Sequence, residues 1–350
     1  MKTRNLIPSI KIIGKTIVLF NLFLASNVHA QFKLIPKDVL EAVKEKKLLV
    51  ALKNEIATQG KDSLTDDEVN FNTIYNKAIK EELSKYWKLT KGQIEYKTEN
   101  EIRNMATPEL KDYLLLHANW VVKVSRIQGE FVMFSFDLEY FEEDGSSESV
   151  FSLSYSPNDI VANADVIFMM KVLNNHIDMS QTLEDFTGYF NIERNIEDLK
   201  TKTLLLASNI TNLSLDQVKK NYENEVRIVS PEEVAENIST ENDEGVFIRL
   251  VWWGPEAVYG AFNTKDCDIV SIIGAGGLRV TLGSRQLEYY GPSGQSNFYS
   301  SATPYVNPWA RNEHFSFQVF RSQYVLRKNH FKSILNEKWQ KNNYRRVFGY

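Results

Sequence analysis

The chain is poor in the residues that most often advertise chemistry. It has one cysteine, Cys267, among 350 residues. No intramolecular disulfide can form, even in an oxidising compartment, so stability has to come from packing. Asp266 and Asp268 flank that cysteine, and their charge raises a thiol pKa rather than lowering it, so Cys267 reads as a packed small residue. Four histidines follow the first thirty residues: His117, His176, His314 and His330. None shows the H-x-x-x-H or H-E-x-x-H spacing of a zinc site; His117 falls in a strand and His176 at a helix end. The acids Glu142, Glu143, Asp144 and Glu148 read as a solvated hairpin tip.

Phosphate loops and activated nucleophiles are lacking too. Gly274-Ala275-Gly276-Gly277 places Arg279 where G-x-G-x-x-G needs its third glycine and leads into no helical pattern, so it reads as a turn. Gly291-Pro292-Ser293-Gly294-Gln295 misses G-x-S-x-G at its last position and lies in a loop rather than on a strand-to-helix elbow. No catalytic residue, metal ligand or cofactor-binding residue is therefore nominated, and no cofactor is expected.

Long apolar runs are missing as well, with one informative exception at the N-terminus. Lys2, Arg4, Lys11 and Lys15 precede the apolar run IVLFNLFLA, and Val28-His29-Ala30 places small residues at the −3 and −1 positions of a cleavage site. That order is a secretory signal peptide over 1–30. Its apolar stretch falls short of the roughly 18–20 residues that span a bilayer. The expectation is an exported mature chain that starts at Gln31, periplasmic or extracellular, not membrane-spanning and not a lipoprotein, because the residue directly after the cleavage site is Gln31 and the single cysteine is Cys267.

Net basic charge is also missing. The whole chain carries a formal charge of −4, which becomes −8 without the signal. A nucleic acid is not an expected partner, because phosphate backbones call for a net-positive surface. The charge is uneven: residues 311–350 carry +7 and residues 31–310 carry −15.

What is present is an α/β (or α+β) pattern laid down twice. The first unit, 31–178, opens on the strand KLLVAL (47–52) and continues with an amphipathic helix over 71–87 and a short strand at 94–96. A longer strand over 113–124 follows, then alternating strands over 131–140 and 150–155 and a helix over 160–176. The second unit, 201–350, opens on TLLLA (203–207) and has a helix over 215–222, strands over 226–229, 246–253 and 268–273, and a basic C-terminal helix over 328–341. A polar linker, 179–200, separates the units. IEYKTENEI (94–102) and VRIVSPEEV (226–234) align without a gap, each with a hydroxyl residue three positions before a glutamate. That is the capping-box pattern, at Thr98/Glu101 and Ser230/Glu233. The expectation is two tandem, duplicated units, each a mixed sheet with flanking helices.

The other unusual region is YYGPSGQSNFYSSATPYVNPWAR, 289–311, a long loop rich in aromatic side chains. Tyr290, Phe298, Tyr299, Tyr305 and Trp309, with Arg311 and with Trp252 and Trp253 at a strand end, compose the surface proposed to meet a glycan or another envelope protein. The function expected from the sequence is a non-catalytic binding or interaction protein of the cell envelope. The alternatives are an extracytoplasmic hydrolase whose acids come from distant parts of the chain, and a purely structural envelope component. An intact mass measurement on the exported protein should give a chain beginning at Gln31; a mass that retains 1–30 would overturn the assignment.

Overall fold

The computed structural model describes residues 34–55, 66–125, 129–142, 146–156, 162–182, 192–253, 256–274, 326 and 328–336. The segment 1–30 expected to be a signal peptide, the aromatic loop and the end of the basic tail lie outside these residues. The described part is a mixed α/β fold on one ten-stranded sheet. Its first half runs α1 (Lys37–Lys44), β1 (Lys47–Leu52), α2 (Asp66–Tyr86), β2 (Ile94–Thr98), α3 (Glu99–Arg103), α4 (Thr107–Leu110), β3 (Tyr113–Ser125), β4 (Gly129–Phe141), β5 (Ser147–Tyr155) and α5 (Asn163–Thr182). The second half runs α6 (Ile192–Thr201), β6 (Thr203–Ala207), α7 (Leu215–Lys219), β7 (Val226–Val229), α8 (Pro231–Ser239), β8 (Gly245–Trp253), β9 (Glu256–Asn263), β10 (Ile269–Gly274) and α9 (Lys328–Ile334).

Strand β1 lies between β2 and β3, parallel to both, and β4 and β5 follow antiparallel. Likewise β6 lies between β7 and β8, parallel to both, with β9 and β10 following antiparallel. The halves join at β8. One edge of β8 pairs with β9; the other is shared between β6, along Gly245–Phe247, and β5, at Val251 and Trp252. The sheet forks there, and Arg249 sits between the two branches.

The first face of the sheet carries a hydrophobic core that runs through both halves. Phe71, Tyr75, Ala78, Ile79 and Leu83 form a buried stripe on α2 at helical spacing, and each large member contributes about 1.5–3 kcal/mol. Val234 and Ile238 of α8 join the same core, and α5 lies between α2 and α8. The second face is divided. Ile102 and Leu110, from α3 and α4, cover Leu49, Ala51 and Leu115 at one end. Leu199, Val218, Phe331 and Ile334, from α6, α7 and α9, pack with β6, β8, β9 and β10 at the other. Apolar side chains on both faces explain why β1 and β6 read as unbroken apolar runs.

Helix α5 is buried almost all round, and its polar residues are engaged one by one. Asp165 Oδ1 lies 2.9 Å from Arg249 Nη1, and Lys171 Nζ lies 3.0 Å from Glu241. Asn174 donates to the Tyr86 carbonyl at 2.7 Å and Asn175 to the Asp266 carbonyl at 3.0 Å. The Arg249 guanidinium also lies over the rings of Phe168, Tyr155 and Phe247, 4.5, 5.1 and 5.6 Å from their centroids. Burial raises the pKa of Asp165, while the Arg249 charge opposes that shift.

Several sequence expectations meet their structural outcome here. The Thr98/Glu101 capping box forms in full, with Thr98 N–H donating to the Glu101 carboxylate at 2.6 Å. At the second site Ser230 caps the Glu233 N–H, but the Glu233 carboxylate accepts from Arg227 at 2.7 Å instead of reaching back. An arginine three residues before the cap offers the stronger, charge-assisted bond. A full box forms at Ser214/Gln217, which the sequence reading does not assign. Residues 192–200 of the expected linker, with Thr201, form α6. Strand β9 is not expected from the sequence either: EAVYGAFN lacks polar alternation, and Gly260 is needed because a Cβ there would meet the Phe262 ring at 2.5 Å. Cys267 is buried, adopts a positive φ of 57°, and its thiol is pushed up to about 12 by burial. No described helix is long and apolar enough to cross a membrane.

Removing Arg249 alone leaves the buried Asp165 carboxylate without its counter-charge. Arg249→Met should therefore cost about 3–5 kcal/mol in urea denaturation, while the Arg249→Met/Asp165→Leu double variant should regain much of that loss. A double variant no more stable than the single one would show that the pair is not the source of the cost.

Candidate functional site

The strip of the second face between its two apolar patches is polar. It is built by alternation: where Leu116, Ala118, Phe134, Phe136, Leu138 and Leu153 face the first core, the intervening residues of β3, β4 and β5 point the other way. These are His117 and Asn119 on β3, Ser135, Asp137 and Glu139 on β4, and Ser152 and Ser154 on β5. They lie on a concave surface, because β3 comes within 8 Å of β9, Cα to Cα, although β4, β5 and β8 lie between the two in the sheet. Ser135, Ser154, His117 and Glu139 are buried, while Asn119, Asp137 and Ser152 are half-buried.

One end of the strip lies at the carboxyl ends of parallel strands. Extending the pairing of Val50 with Leu116 brings Lys53 level with Asn119, and extending that of Leu52 with Thr98 brings Lys53 level with Glu99. Lys53 Nζ lies 2.5 Å from both Glu99 Oε1 and Asn119 Oδ1. Two devices hold this row. The buried Asn76 of α2 accepts from Lys53 N–H and donates to Lys53 C=O, each at 2.8 Å, and so replaces the strand pairing that stops at Leu52. The Thr98 capping box fixes the start of α3, of which Glu99 is the first residue.

From Asn119 the contacts continue inward. Its amide nitrogen lies 3.5 Å from His117 Nδ1, and His117 Nε2 lies 3.5 Å from Glu139 Oε1. Asp137 stands opposite His117 in the β3–β4 register and accepts from the hydroxyls of Ser152 at 2.5 Å and Ser135 at 3.2 Å. Ser154 extends the chain to Ser135 at 3.0 Å. A bulge in β5, between the partners of Leu138 and Glu139, breaks the register beside this cluster. For His117 burial is the largest influence and acts to lower the pKa, but Glu139 and Asp137 outweigh it, and the net direction is upward.

The helices place the strip where ligands commonly enter an open α/β sheet. In the order β2-β1-β3 the crossover from β1 to β2 runs on the first face and that from β2 to β3 on the second, so the connections part at the carboxyl end of β1. Such a switch point opens a crevice outside the strand ends. The corresponding place in the second half carries no such charged row: by the same extension of the pairings, Asn209 and Val251 stand level with Pro231 there.

The surface expected from the sequence lies elsewhere. Tyr290, Phe298, Tyr299, Tyr305, Trp309 and Arg311 fall outside the described residues. Trp252 is 6% exposed and packs in the second-face patch, next to the strip, where it pairs across with Ser154. Trp253 ends β8 opposite Glu256. His176 and His330 are buried against the rings of Phe151 and Tyr259. Among the described residues no group of three or more His, Cys, Asp or Glu side chains is arranged to hold a metal ion. None of Lys53, Glu99, Asn119, Asp137 and Glu139 stands out in the sequence, and His117 reads as an ordinary strand histidine. The available signal is the run of polar residues on the same side of three successive strands. Comparison with protein-family profiles, with curated proteins and with solved structures finds no match.

Because the folded-state pKa of His117 lies above its unfolded value of roughly 6.5, its contribution to stability is fully present below that value and is lost as pH rises through the folded one. His117→Gln should therefore flatten the melting temperature against pH on the neutral side. An unchanged slope would remove His117 from the titration.

Proposed function

We propose that the protein is an exported, non-catalytic binding or interaction protein of the cell envelope, and that it engages its partner at the crevice where β1, β2 and β3 end. The observation that carries this reading is the row Lys53, Glu99 and Asn119, held in place by Asn76 and Thr98 at the point where the crossover connections part. The groups are occupied by one another, as recognition groups are before a ligand exchanges for them: Lys53 by Glu99 and Asn119, Asp137 by two serine hydroxyls. The partner is proposed to be a glycan or another envelope protein. Export rests on the signal pattern of 1–30.

The hydrolase reading has one specific observation in its favour, the buried His117–Glu139 contact, which resembles an oriented general base. Both readings are addressed by one set of variants. In equilibrium binding to a glycan array and to purified envelope proteins, Lys53→Met with Asn119→Leu should abolish binding while the chain still unfolds in one cooperative transition. Undiminished binding would put the recognition surface elsewhere. Turnover of an envelope polymer that is lost in Glu139→Gln would replace the binding reading with the enzymatic one.

We further propose that the two halves arose by duplication of one unit. In support, the strand orders β2-β1-β3-β4-β5 and β7-β6-β8-β9-β10 correspond, and Thr98 and Ser230 cap equivalent helices. Counted from the paired starts Lys47/Tyr113 and Thr203/Gly245, His117 and Arg249 fall at the same step. Sequence profiles built separately from relatives of each half should detect one another; mutual silence would count against a common origin.

A further inference from the structure

The hydrogen-bond chain in the crevice is fixed in polarity at one end and reversible in the middle. Lys53 has only donors, so the Asn119 atom 2.5 Å from it is the amide oxygen, as an acceptor must be. That turns the Asn119 amide nitrogen towards His117, 3.5 Å from Nδ1. An amide nitrogen also only donates, so Nδ1 carries the lone pair and the ring proton sits on Nε2, facing Glu139 at 3.5 Å. With neutral imidazole, Lys53 and Asn119 each donate to an acceptor, and the Nε2 proton faces the Glu139 carboxylate.

A proton on Nδ1 breaks this order, because an N–H then faces an NH2. Rotating the Asn119 amide by half a turn gives the imidazolium an acceptor but presents the NH2 group to the Lys53 ammonium. The proton on Nδ1 and the Lys53–Asn119 bond exclude each other. The imidazolium prevails, because Glu139 and Asp137 flank it on β4, whereas Lys53 keeps Glu99 at 2.5 Å when Asn119 turns away. The charged and titratable groups around the ring, among the described residues, are Asp137 and Glu139 on β4, Lys53 beyond β1, and Glu99 of α3 behind Lys53. The two β4 carboxylates favour the charged ring and Lys53 opposes it.

We infer that protonation of His117 frees Lys53 from Asn119 and presents its ammonium to an anionic group of the ligand, a carboxylate, sulfate or phosphate entering the crevice. This rests on the reading of the crevice as the binding site and gives it a pH-controlled charge. Lys53 is the group that meets the ligand; His117 and Asn119 act as positioning residues.

The test uses the full mature chain and needs no variant for its first part. Nitrogen NMR should show the Nε2–H tautomer of His117 at high pH, and the Asn119 side-chain amide should shift with the same midpoint as the imidazole. An Nδ1–H tautomer, or an amide that stays still through the imidazole titration, overturns the inference. Sulfate then serves as the probe, since its charge is constant between about pH 5 and about pH 8. Binding read at the amides of Lys53, Thr98 and Asn119 should be about tenfold tighter at the lower pH, and should vanish in Lys53→Met. Equal sulfate binding at both pH values overturns the switch and leaves the crevice as a binding site. No sulfate binding at either pH, with a moving Asn119 amide, rejects the crevice as an anion site and keeps the proton-driven rotation.

Discussion

The ion pair between Arg249 and Asp165 joins what the backbone leaves open. Among the described residues, two residue pairs of β5 and β8 are in register, and one further bond, from Ser156 N–H to the Leu250 carbonyl at 2.9 Å, follows them. Beyond that the branches diverge, and a sheet that forks needs side chains to set the angle between its limbs. Arg249 stands at the fork and reaches a carboxylate on α5, while three aromatic rings cover the faces of its guanidinium. Desolvation cancels much of the Coulombic gain of such a pair, so its value lies in permitting one arrangement of the two limbs and penalising others.

Helix α5 transmits that constraint. It follows the strands of the first half, yet Asp165, Lys171 and Asn175 all reach residues of the second. Its apolar residues fill the first-face core, which crosses both halves. With one face so fully committed, the opposite face is free to be uneven. There the described helices cover the two ends, and the polar strip of β3, β4 and β5 lies between them on the concave side.

How much of this is legible in the sequence follows from the range over which each feature is determined. β1, β6 and β7 are set by short apolar runs between turn signals, and the expected ranges coincide with the observed ones. Thr98 and Ser230 mark their helix starts through contacts three residues away, so they too are read locally, although the Glu233 arm is lost to Arg227. β9 escapes because a strand buried on both faces has no alternation, and α6 because a mostly polar helix resembles a linker. The crevice is the least legible part. Glu99 and Asn119 are 46 and 66 residues from Lys53, and the parallel order β2-β1-β3 makes the three neighbours. Trp252 shows the opposite error: a strand-end aromatic looks like a surface anchor until the curl of the sheet encloses it.

Cys267 has a use that its inertness creates. It is the chain's single thiol, and it lies in the shared core near the turn whose carbonyls, at Lys265 and Asp266, anchor α5. In the closed molecule an alkylating reagent finds neither access nor thiolate. Every modification event therefore records an opening of the core around this turn, with no background from other thiols. The native chain carries its own clock for that motion.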